Sequence, residues 1–280
     1  MRMYQEILYE VDEPVAVVTM NRPASLNAFT ALMLAEVRHA LAEAERDERV
    51  VGIVLTGAGR GFCAGMDMNA LNTMSASGGE REAEDLSHLA ANPGNPDMGD
   101  NFAHIYDHLL GLRKPLIAAV NGAAAGLGMS YALLADLRFV EKTAKFTTAF
   151  SARGLVAEHG MSWILPRLLG PAKALDILWT ARRIAGEEAV AMGLGDRLCE
   201  TGESVDDAKE YVRQLAATAA PLSLMIMKQQ VYKHIDMPIG PAMDETERLM
   251  DESLVRPDFR EGVRSFMEKR PPNFDRVKVG

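Results

Sequence analysis

Two short turns built from small residues have the strongest potential for chemistry in this sequence. They are Ala64-Gly65-Met66-Asp67 and Ala125-Gly126-Leu127-Gly128. Small side chains let backbone N–H groups approach a ligand closely, and each turn is predicted to open a helix, whose first N–H groups are free and partly positive. Two such donors that converge on one oxygen would form an oxyanion hole. The alternative is that the glycines only allow close packing of strand against helix.

The other glycine-rich and nucleophilic patterns are weaker. Gly57-x-Gly59-x-Gly61 and Gly122-x-x-x-Gly126-x-Gly128 lack the spacing of a dinucleotide fingerprint, and the sequence has no Gly-Lys pair for a phosphate-binding loop. Gly128-Met-Ser130-Tyr-Ala132, with His159 as a base, resembles a degraded nucleophile elbow of a serine hydrolase. Its predicted position inside a helix, rather than at a sharp strand-to-helix turn, disfavours that interpretation.

Two charged patterns are expected to lie on solvated helix surfaces. His104 and His108 stand four residues apart with Asp107 beside them, a spacing that can hold a metal ion on one helix face. A solvated helix face explains them better, so the sequence predicts no metal site. The charged run from Glu43 to Arg49 is interpreted as a solvated helix end.

The elements that would position the two turns follow an alternating pattern. Thr30 can cap a helix in which Ala31, Leu34, Val37 and Leu41 recur at helical spacing. Strands that alternate with helices predict parallel sheets with ligand sites at the carboxyl ends of the strands, where both turns fall. The predicted strands are Gln5–Val11, Val15–Met20, Val50–Leu55 and Leu116–Val120.

The chain is predicted to have two parts. Residues 1–200 form an α/β core, and residues 201–280 form a helical module with helices at Val205–Thr218, Ser223–His234, Pro241–Leu254 and Asp258–Lys269. Between the turns, residues 69–101 include Ser75-Ala-Ser77-Gly78-Gly79 and Asn92-Pro-Gly-Asn-Pro96. This stretch is too long and polar for a simple connector, and we interpret it as a mobile cover over a pocket.

Composition excludes several classes of protein. The 280 residues suffice for a large core, and 30 Lys and Arg against 39 Asp and Glu give a net charge of -9, so nucleic acid is not an expected partner. Two cysteines provide no disulfide framework, and the first ten residues lack a secretory signal. No apolar run approaches the roughly 20 residues of a membrane span. We expect a cytoplasmic protein that does not contact membranes.

Taken in order along the chain, a set of short motifs resembles the enoyl-CoA hydratase/isomerase family, also called the crotonase family. The resemblance covers nearly the whole sequence, and its motifs are Asn21-Arg-Pro-Ala-Ser-Leu-Asn-Ala28, Gly61-Phe-Cys-Ala-Gly-Met-Asp67, Lys114-Pro115 with Val120-Asn-Gly122, Ala135-Asp136, Ser162-Trp-Ile-Leu-Pro-Arg167, and Glu261-Gly262 through Phe266-Met-Glu-Lys-Arg-Pro271. The resemblance implies a crotonase-like spiral of repeated β-β-α units with a C-terminal helical module for oligomerisation, giving a homotrimer or a dimer of trimers.

The resemblance also implies a substrate and the residues that bind it. The substrate would be an acyl-CoA thioester whose carbonyl oxygen lies between the backbone N–H groups of Met66 and Leu127. No cofactor is implied, because coenzyme A is part of the substrate. The implied CoA contacts are Ser25, Leu26, the backbone near Ala64 and Met68, and a late helix with Phe266 and Lys269 that a neighbouring subunit could supply.

One departure from the family pattern changes the expected reaction. The two glutamates that hydratases use to activate water would fall at Ser130 and Phe150, and neither residue can act as a base. Glu158 falls where single-acid isomerases of the family carry their carboxylate. We therefore expect double-bond isomerisation through an enolate, with Glu158 as acid and base. Phe150 and Trp163 are expected to desolvate its carboxyl group in part.

Three alternatives remain open from the sequence. Glu158 could activate water by itself in an enoyl-CoA hydratase. Ser130 or Glu158 could support hydrolysis of a CoA thioester or of a carbon–carbon bond. The chain could also be a CoA-ester-binding protein without activity. Nothing in the sequence fixes the length or shape of the acyl group.

Overall fold

Two sheets organise the protein, whose computed structural model describes residues 4–77 and 84–278. The larger sheet has six strands in the order β1-β2-β3-β5-β7-β10, and the smaller has four in the order β4-β6-β8-β9. The strands are β1 Ile7–Asp12, β2 Val15–Met20, β3 Gly52–Gly57, β4 Gly61–Cys63, β5 Leu116–Val120, β6 Ala123–Ala125, β7 Leu137–Glu141, β8 Lys145–Thr147, β9 Ile184–Ala185 and β10 Arg197–Cys199.

The strands follow the repeating pattern of a crotonase spiral. β3, β5 and β7 pair in parallel in the larger sheet, and each is followed by a short strand, β4, β6 or β8, that pairs in parallel in the smaller sheet. Each repeat therefore carries the chain from one sheet to the other. The pairs β1–β2 and β8–β9 are antiparallel and lie at the edges. The predicted fold class is confirmed.

The helices follow the strands of this spiral and continue beyond it. They are α1 Ala31–Arg46, α2 Met68–Ala76, α3 His108–Gly111, α4 Leu127–Leu133, α5 Met161–Leu169, α6 Pro171–Thr180, α7 Gly186–Met192, α8 Ser204–Thr218, α9 Pro221–His234, α10 Ile239–Leu254 and α11 Pro257–Glu268. The predicted cap of α1 is present, because the Thr30 hydroxyl accepts a hydrogen bond from the Met33 amide at 3.0 Å. None of the helices in the described ranges is long and apolar enough to cross a membrane.

The main core lies between α1, the two sheets and α4. Its largest buried side chains include Phe29, Phe62, Tyr131 and Phe146. A second cluster lies on the other face of the larger sheet, where Ala208 and Val212 of α8 pack on the strands. The first helix of the predicted C-terminal module therefore covers the sheet, whereas α9 to α11 extend from it. The division of the chain at residue 200 stays a prediction.

The structure corrects the interpretation of both charged patterns, the first at one residue: Glu43, Arg46, Glu48 and Arg49 are exposed as expected, but Glu45 is not. Glu45 lies within the predicted solvated run but is buried, and its carboxylate accepts hydrogen bonds from the Gly94 and Arg113 amides. His104 and His108 do not share a helix face. The His104 side chain is 78% exposed ahead of α3, whereas His108 begins α3 and is buried against Arg38.

The segment interpreted as a cover is only partly irregular. Its first part is helix α2, which Asp67 caps by accepting a hydrogen bond from the Asn69 amide at 2.9 Å. Residues 92–103 cover a different cavity, next to Arg38 and Arg113. Gly78 and Gly79 lie outside the described residues. The predicted mobility of the segment stays a prediction.

Candidate active site

The two small-residue turns lie side by side because they follow neighbouring parallel strands. β4 pairs with β6, so their carboxyl ends meet at one edge of the smaller sheet. The space around Gly65 shows how close the two turns are to each other. A Cβ added there would lie 2.9 Å from the Ala125 carbonyl oxygen and 3.7 Å from the Leu127 nitrogen. A side chain at position 65 would therefore press on the second turn, at a backbone φ of 100° that favours glycine.

The Met66 amide points away from Phe29, the residue with which Met66 forms an isolated β-bridge. Phe29 and Met66 form a parallel β-bridge, but the hydrogen bonds of this bridge join Phe29 to the two neighbours of Met66. The Phe29 N–H donates to the Gly65 carbonyl, and the Phe29 carbonyl accepts a hydrogen bond from the Asp67 amide. Successive peptide groups of an extended chain point to opposite sides. The Met66 N–H is thereby turned away from Phe29 and is not used in this bridge.

The Leu127 amide is the first N–H of α4, where a helix leaves its donors free. The Leu127 side chain is buried in the main core, so it points away from the turn. Gly128 allows α4 to pack closely against β4, since a Cβ at this position would lie 2.1 Å from the Cys63 carbonyl oxygen. The glycines thus allow close packing, and the packing brings the two turns into contact.

A cavity of about 410 Å³ opens between the two turns and the chain after β8. Met66, Leu127 and Glu158 lie in its wall together. Of the predicted CoA contacts, Ser25, Ala64 and Met68 also line it. The whole lining is Ser25, Ala28, Ala64, Gly65, Met66, Asp67, Met68, Asn69, Leu71, Gly126, Leu127, Thr148, Ala149, Phe150, Arg153, Leu155, Glu158 and His159.

Leu26, the predicted CoA contact next to Ser25, does not line the cavity. Its carbonyl accepts a hydrogen bond from the Ala64 amide at 2.9 Å, so Leu26 holds the Ala64 turn in place. The Ala64 N–H is used in this bond and is therefore not available to a ligand.

Glu158 stands in the loop that precedes α5. Its side chain is 35% exposed, and its Oε2 lies 4.0 Å from Nδ1 of His159. His159 has a left-handed backbone with a φ of 56°, which few non-glycine residues adopt and which is often found at functional sites. This turn brings Glu158 to the cavity wall just before the helix begins.

The second carboxylate of the described cavity lining, Asp67, is already engaged. Burial would raise its pKa, but the Asn69 amide and the Arg22 guanidinium, whose Nη1 lies 3.0 Å from Oδ2, hold the pKa below its ordinary value. Arg22 also pairs with Glu6 at 3.1 Å. Asp67 therefore fixes the start of α2, and Glu158 is the carboxylate left available to a ligand.

The positions at which hydratases carry glutamates offer no acid here. Ser130 is fully buried in α4, does not line the cavity, and its hydroxyl donates to the Gly126 carbonyl at 3.3 Å. The Phe150 ring lines the cavity. Trp163, the other aromatic residue expected beside Glu158, lines a neighbouring cavity instead.

Phe266 and Lys269 lie on and just after α11, outside the lining of this cavity. The Phe266 side chain is 82% exposed. The chain that follows α11 returns to the opposite, amino-terminal end of the larger sheet, where Lys278 lies 3.4 Å from Glu48. The role of Phe266 and Lys269 in CoA binding stays a prediction that involves a neighbouring subunit.

Sequence reasoning missed the Arg22–Asp67 pair and the place of His159 in the cavity wall. An Asp directly before a helix is a usual N-cap, so Asp67 had a readable signal. Arg22 had none, because it reaches Asp67 only once β2 and β4 are folded. His159 was considered only as a base for Ser130.

Comparisons with known proteins agree with this architecture. The sequence model of the enoyl-CoA hydratase/isomerase family matches residues 10–277. The chain is similar to 1,2-epoxyphenylacetyl-CoA isomerase of Escherichia coli (34% identity over 97% of this chain and 99% of the relative) and to short-chain-enoyl-CoA hydratase of Clostridium acetobutylicum (30%, 94% and 95%). The crystal structure of enoyl-CoA hydratase from Mycobacterium tuberculosis is 27% identical and matches with a TM-score of 0.82, over 96% of this chain and 98% of that one.

Proposed function

This chain belongs to the enoyl-CoA hydratase/isomerase family, and on that basis we propose that it moves a double bond in an enoyl-CoA, with Glu158 as acid and base. The observation that carries the proposal is the shared cavity. Glu158 lines it with Met66 and Leu127, whereas Ser130 and Phe150 leave the hydratase positions without a carboxylate. One carboxylate suffices for isomerisation, and ordinary two-glutamate hydration needs two.

The proposed reaction proceeds in two proton transfers. The thioester carbonyl oxygen of a 3-enoyl-CoA accepts hydrogen bonds from the Met66 and Leu127 amides. Glu158 removes a proton from C2, and the electrons of that bond spread over the carbonyl oxygen and C4 as a dienolate. The protonated Glu158 then returns the proton to C4, which leaves the double bond between C2 and C3. Donors placed for the enolate oxygen stabilise the transition state more than the substrate.

The proposal includes the surroundings of the reaction. Ser25, Ala64 and Met68 would hold the CoA portion, together with Phe266 and Lys269 of a neighbouring subunit, while Leu26 fixes the Ala64 turn. No cofactor besides the CoA of the substrate is needed. We further propose that the protein acts as a homotrimer or a dimer of trimers in a reducing cytoplasm. Its two cysteines, Cys63 and Cys199, are free and buried, which supports a reducing compartment.

Replacement of the acid tests the proposal directly. Glu158→Gln keeps the size of the side chain and removes the proton acceptor, so we expect turnover of a 3-enoyl-CoA to fall about 10²–10⁴-fold. Affinity for a saturated acyl-CoA should stay within a small factor. The assay is the appearance of the absorbance of the conjugated 2-enoyl thioester.

Glu187→Gln is a matched control, because Glu187 is exposed on α7 and outside the cavity. It should leave turnover unchanged. Full activity of Glu158→Gln would exclude Glu158 as the base and overturn the proposed mechanism.

Hydration by Glu158 alone is the second candidate. The Glu158 side chain is 35% exposed, so water can reach it, and one similar protein is named a short-chain-enoyl-CoA hydratase. Incubation with a 2-enoyl-CoA separates the two reactions. Loss of the conjugated absorbance indicates hydration, whereas its appearance from a 3-enoyl-CoA indicates isomerisation.

The remaining alternatives have less support. A serine hydrolase would need an accessible nucleophile, and the Ser130 hydroxyl is buried outside the cavity. Hydrolysis that depends on Glu158 would release free CoA or a cleaved acid, which mass spectrometry detects. Tight acyl-CoA binding without any turnover would identify a binding protein.

A further inference from the structure

A second cavity of about 490 Å³ adjoins the candidate active site. His159 lies in the wall of both cavities, and Gly160 and Trp163, which follow it closely in the chain, line the second. Each cavity by itself is within the size range of small-molecule sites, about 300–1,000 Å³. The candidate active site therefore has a second compartment next to it, on the other side of His159.

His159 forms the boundary between the two cavities and is held from both sides. Its ring meets Tyr106 edge-on, with 4.7 Å between the ring centroids and an angle of 88°, and lies 6.0 Å from the Phe150 ring. Phe150 belongs to the first cavity and Tyr106 to the second. These contacts and the left-handed backbone restrict the imidazole, so it holds a fixed place between the two cavities.

Six of the thirteen residues that line the second cavity carry aromatic or aliphatic side chains. They come from four separate parts of the chain and are Phe102, Tyr106, Leu110, Leu134, Trp163 and Tyr232. The Trp163 ring is fixed from one side by the Arg167 guanidinium, 3.9 Å from the ring centroid. Aromatic walls favour a planar ring, because offset and edge-to-face contacts contribute beyond the buried area.

The charged groups around this cavity are engaged with one another. Asp107 pairs with His104 at 2.9 Å, Asp236 pairs with Arg167 at 2.7 Å, and Lys233 pairs with Glu245 at 2.9 Å. An ionised group on a ligand would have to displace one of these partners. The cavity therefore suits an uncharged group.

From these features we propose that the second cavity binds the far end of the acyl group, and that the enzyme prefers acyl-CoAs with an uncharged ring there. His159 would set which rings can pass from the first cavity to the second. The proposal rests on the proposed function, since it assumes that an acyl-CoA occupies the first cavity, and it adds the class of acyl group.

The test compares the binding of two saturated esters, butanoyl-CoA and 4-phenylbutanoyl-CoA, which differ by one ring and need no turnover. The wild-type protein should bind the phenyl ester more tightly. Trp163→Ala removes an aromatic wall of the second cavity and should reduce the ratio of the two dissociation constants about tenfold. Trp179→Ala is the matched control, because Trp179 is 71% exposed on α6 and lines neither cavity, so it should leave the ratio unchanged.

A second variant keeps the test decisive if Trp163→Ala does not fold. His159→Trp narrows the passage and should lower the same ratio, with folding of each variant verified by circular dichroism. Equal wild-type affinity for both esters, or an unchanged ratio in both variants, would overturn the proposal. If neither ester binds, the proposed function itself fails. If Glu158→Gln retains full turnover while the ratio holds, only the mechanism fails.

Discussion

At the scale of single residues, the proposed site depends on main-chain groups more than on side chains. Leu127 separates the two contributions, because it lines the cavity at the start of α4 while its side chain belongs to the buried core. In the proposed mechanism its amide binds the substrate oxygen. Proline is tolerated at the first position of a helix and has no N–H. We expect Leu127→Pro to reduce turnover about 10²–10³-fold, the usual effect of losing one donor to an oxyanion.

Leu127→Ala provides the comparison, since it keeps the amide and removes the buried side chain. It should cost about 2–5 kcal/mol of unfolding free energy but retain turnover per folded molecule. Urea unfolding and steady-state kinetics on the two variants measure both effects. Equal turnover in Leu127→Pro and Leu127→Ala would mean that the amide does not act on the substrate.

The residues that could be predicted from sequence are those whose role depends on local structure. Met66 and Leu127 lie next to small residues at strand ends, whereas Glu158 is indicated by the resemblance to the family. The three line one cavity, and their catalytic roles stay a prediction. Glu45 could not be predicted in this way. Its two amide donors lie 49 and 68 residues further along the chain, and only the folded chain brings them to a carboxylate on α1.

At the scale of elements, the short helix α3 is docked on α1 through a buried histidine. Nδ1 of His108 lies 3.3 Å from Nη1 of Arg38. Burial, together with the charge of Arg38, lowers the pKa of His108 from 6.5 to about 3. The imidazole is therefore neutral in the folded protein across most of the acidic range, where the unfolded chain would bind a proton.

This difference predicts a loss of stability in acid. Between pH 6.5 and about 3 the unfolded state holds one more proton than the folded state at this position, so the free energy of unfolding falls as the pH falls. The contribution approaches about 1.4 kcal/mol per pH unit inside that window. Urea unfolding at pH 7 and pH 5 measures it.

His108→Gln, which cannot gain the proton, should show a smaller decrease between the two pH values. The exposed His88 gives the control, because His88→Gln should behave like the wild type. Carboxylates with lowered pKa values, such as Asp67, also lose stabilising interactions in acid, so the difference between variants is the relevant quantity. The same decrease in all three proteins would contradict the assignment to His108.

The elements themselves could be predicted to different degrees. Periodic apolar residues located α8 to α11 to within a few residues, and the Thr30 cap located the start of α1. The turn at Ala64–Asp67 predicts a helix, and α2 begins at Met68, but its extent to Ala76 was not predicted, because residues 69–101 are interpreted as a polar cover. Its start depends on Asp67, whose position is set by Arg22 from a distant strand end.

At the scale of the whole molecule, many large apolar side chains are exposed between the start of α9 and the end of α11. They are Met227, Val231, Ile235, Ile239, Met243, Met250, Leu254, Val255, Phe259, Val263, Phe266 and Met267. Large exposed apolar patches mark protein–protein contacts. On α10 they form one stripe, in which Ile239, Met243, Met250 and Leu254 follow one another at spacings of four, seven and four residues.

The stripe on α10 predicts how the proposed assembly can be broken. Replacing both Met243 and Met250 by Glu places two charges on one face, and we expect the measured mass to fall from that of a trimer or larger assembly to that of a single 30.5 kDa chain. Because Phe266 and Lys269 lie outside the cavity of their own chain, the dissociated protein should also bind acyl-CoA more weakly. Lys269→Ala should weaken binding without changing the mass, which sedimentation and titration with butanoyl-CoA distinguish. A wild-type mass of 30.5 kDa would contradict the proposed assembly. Equal acyl-CoA affinity of the wild type and Lys269→Ala would contradict the contribution of a neighbouring chain, since each chain would then bind its substrate alone.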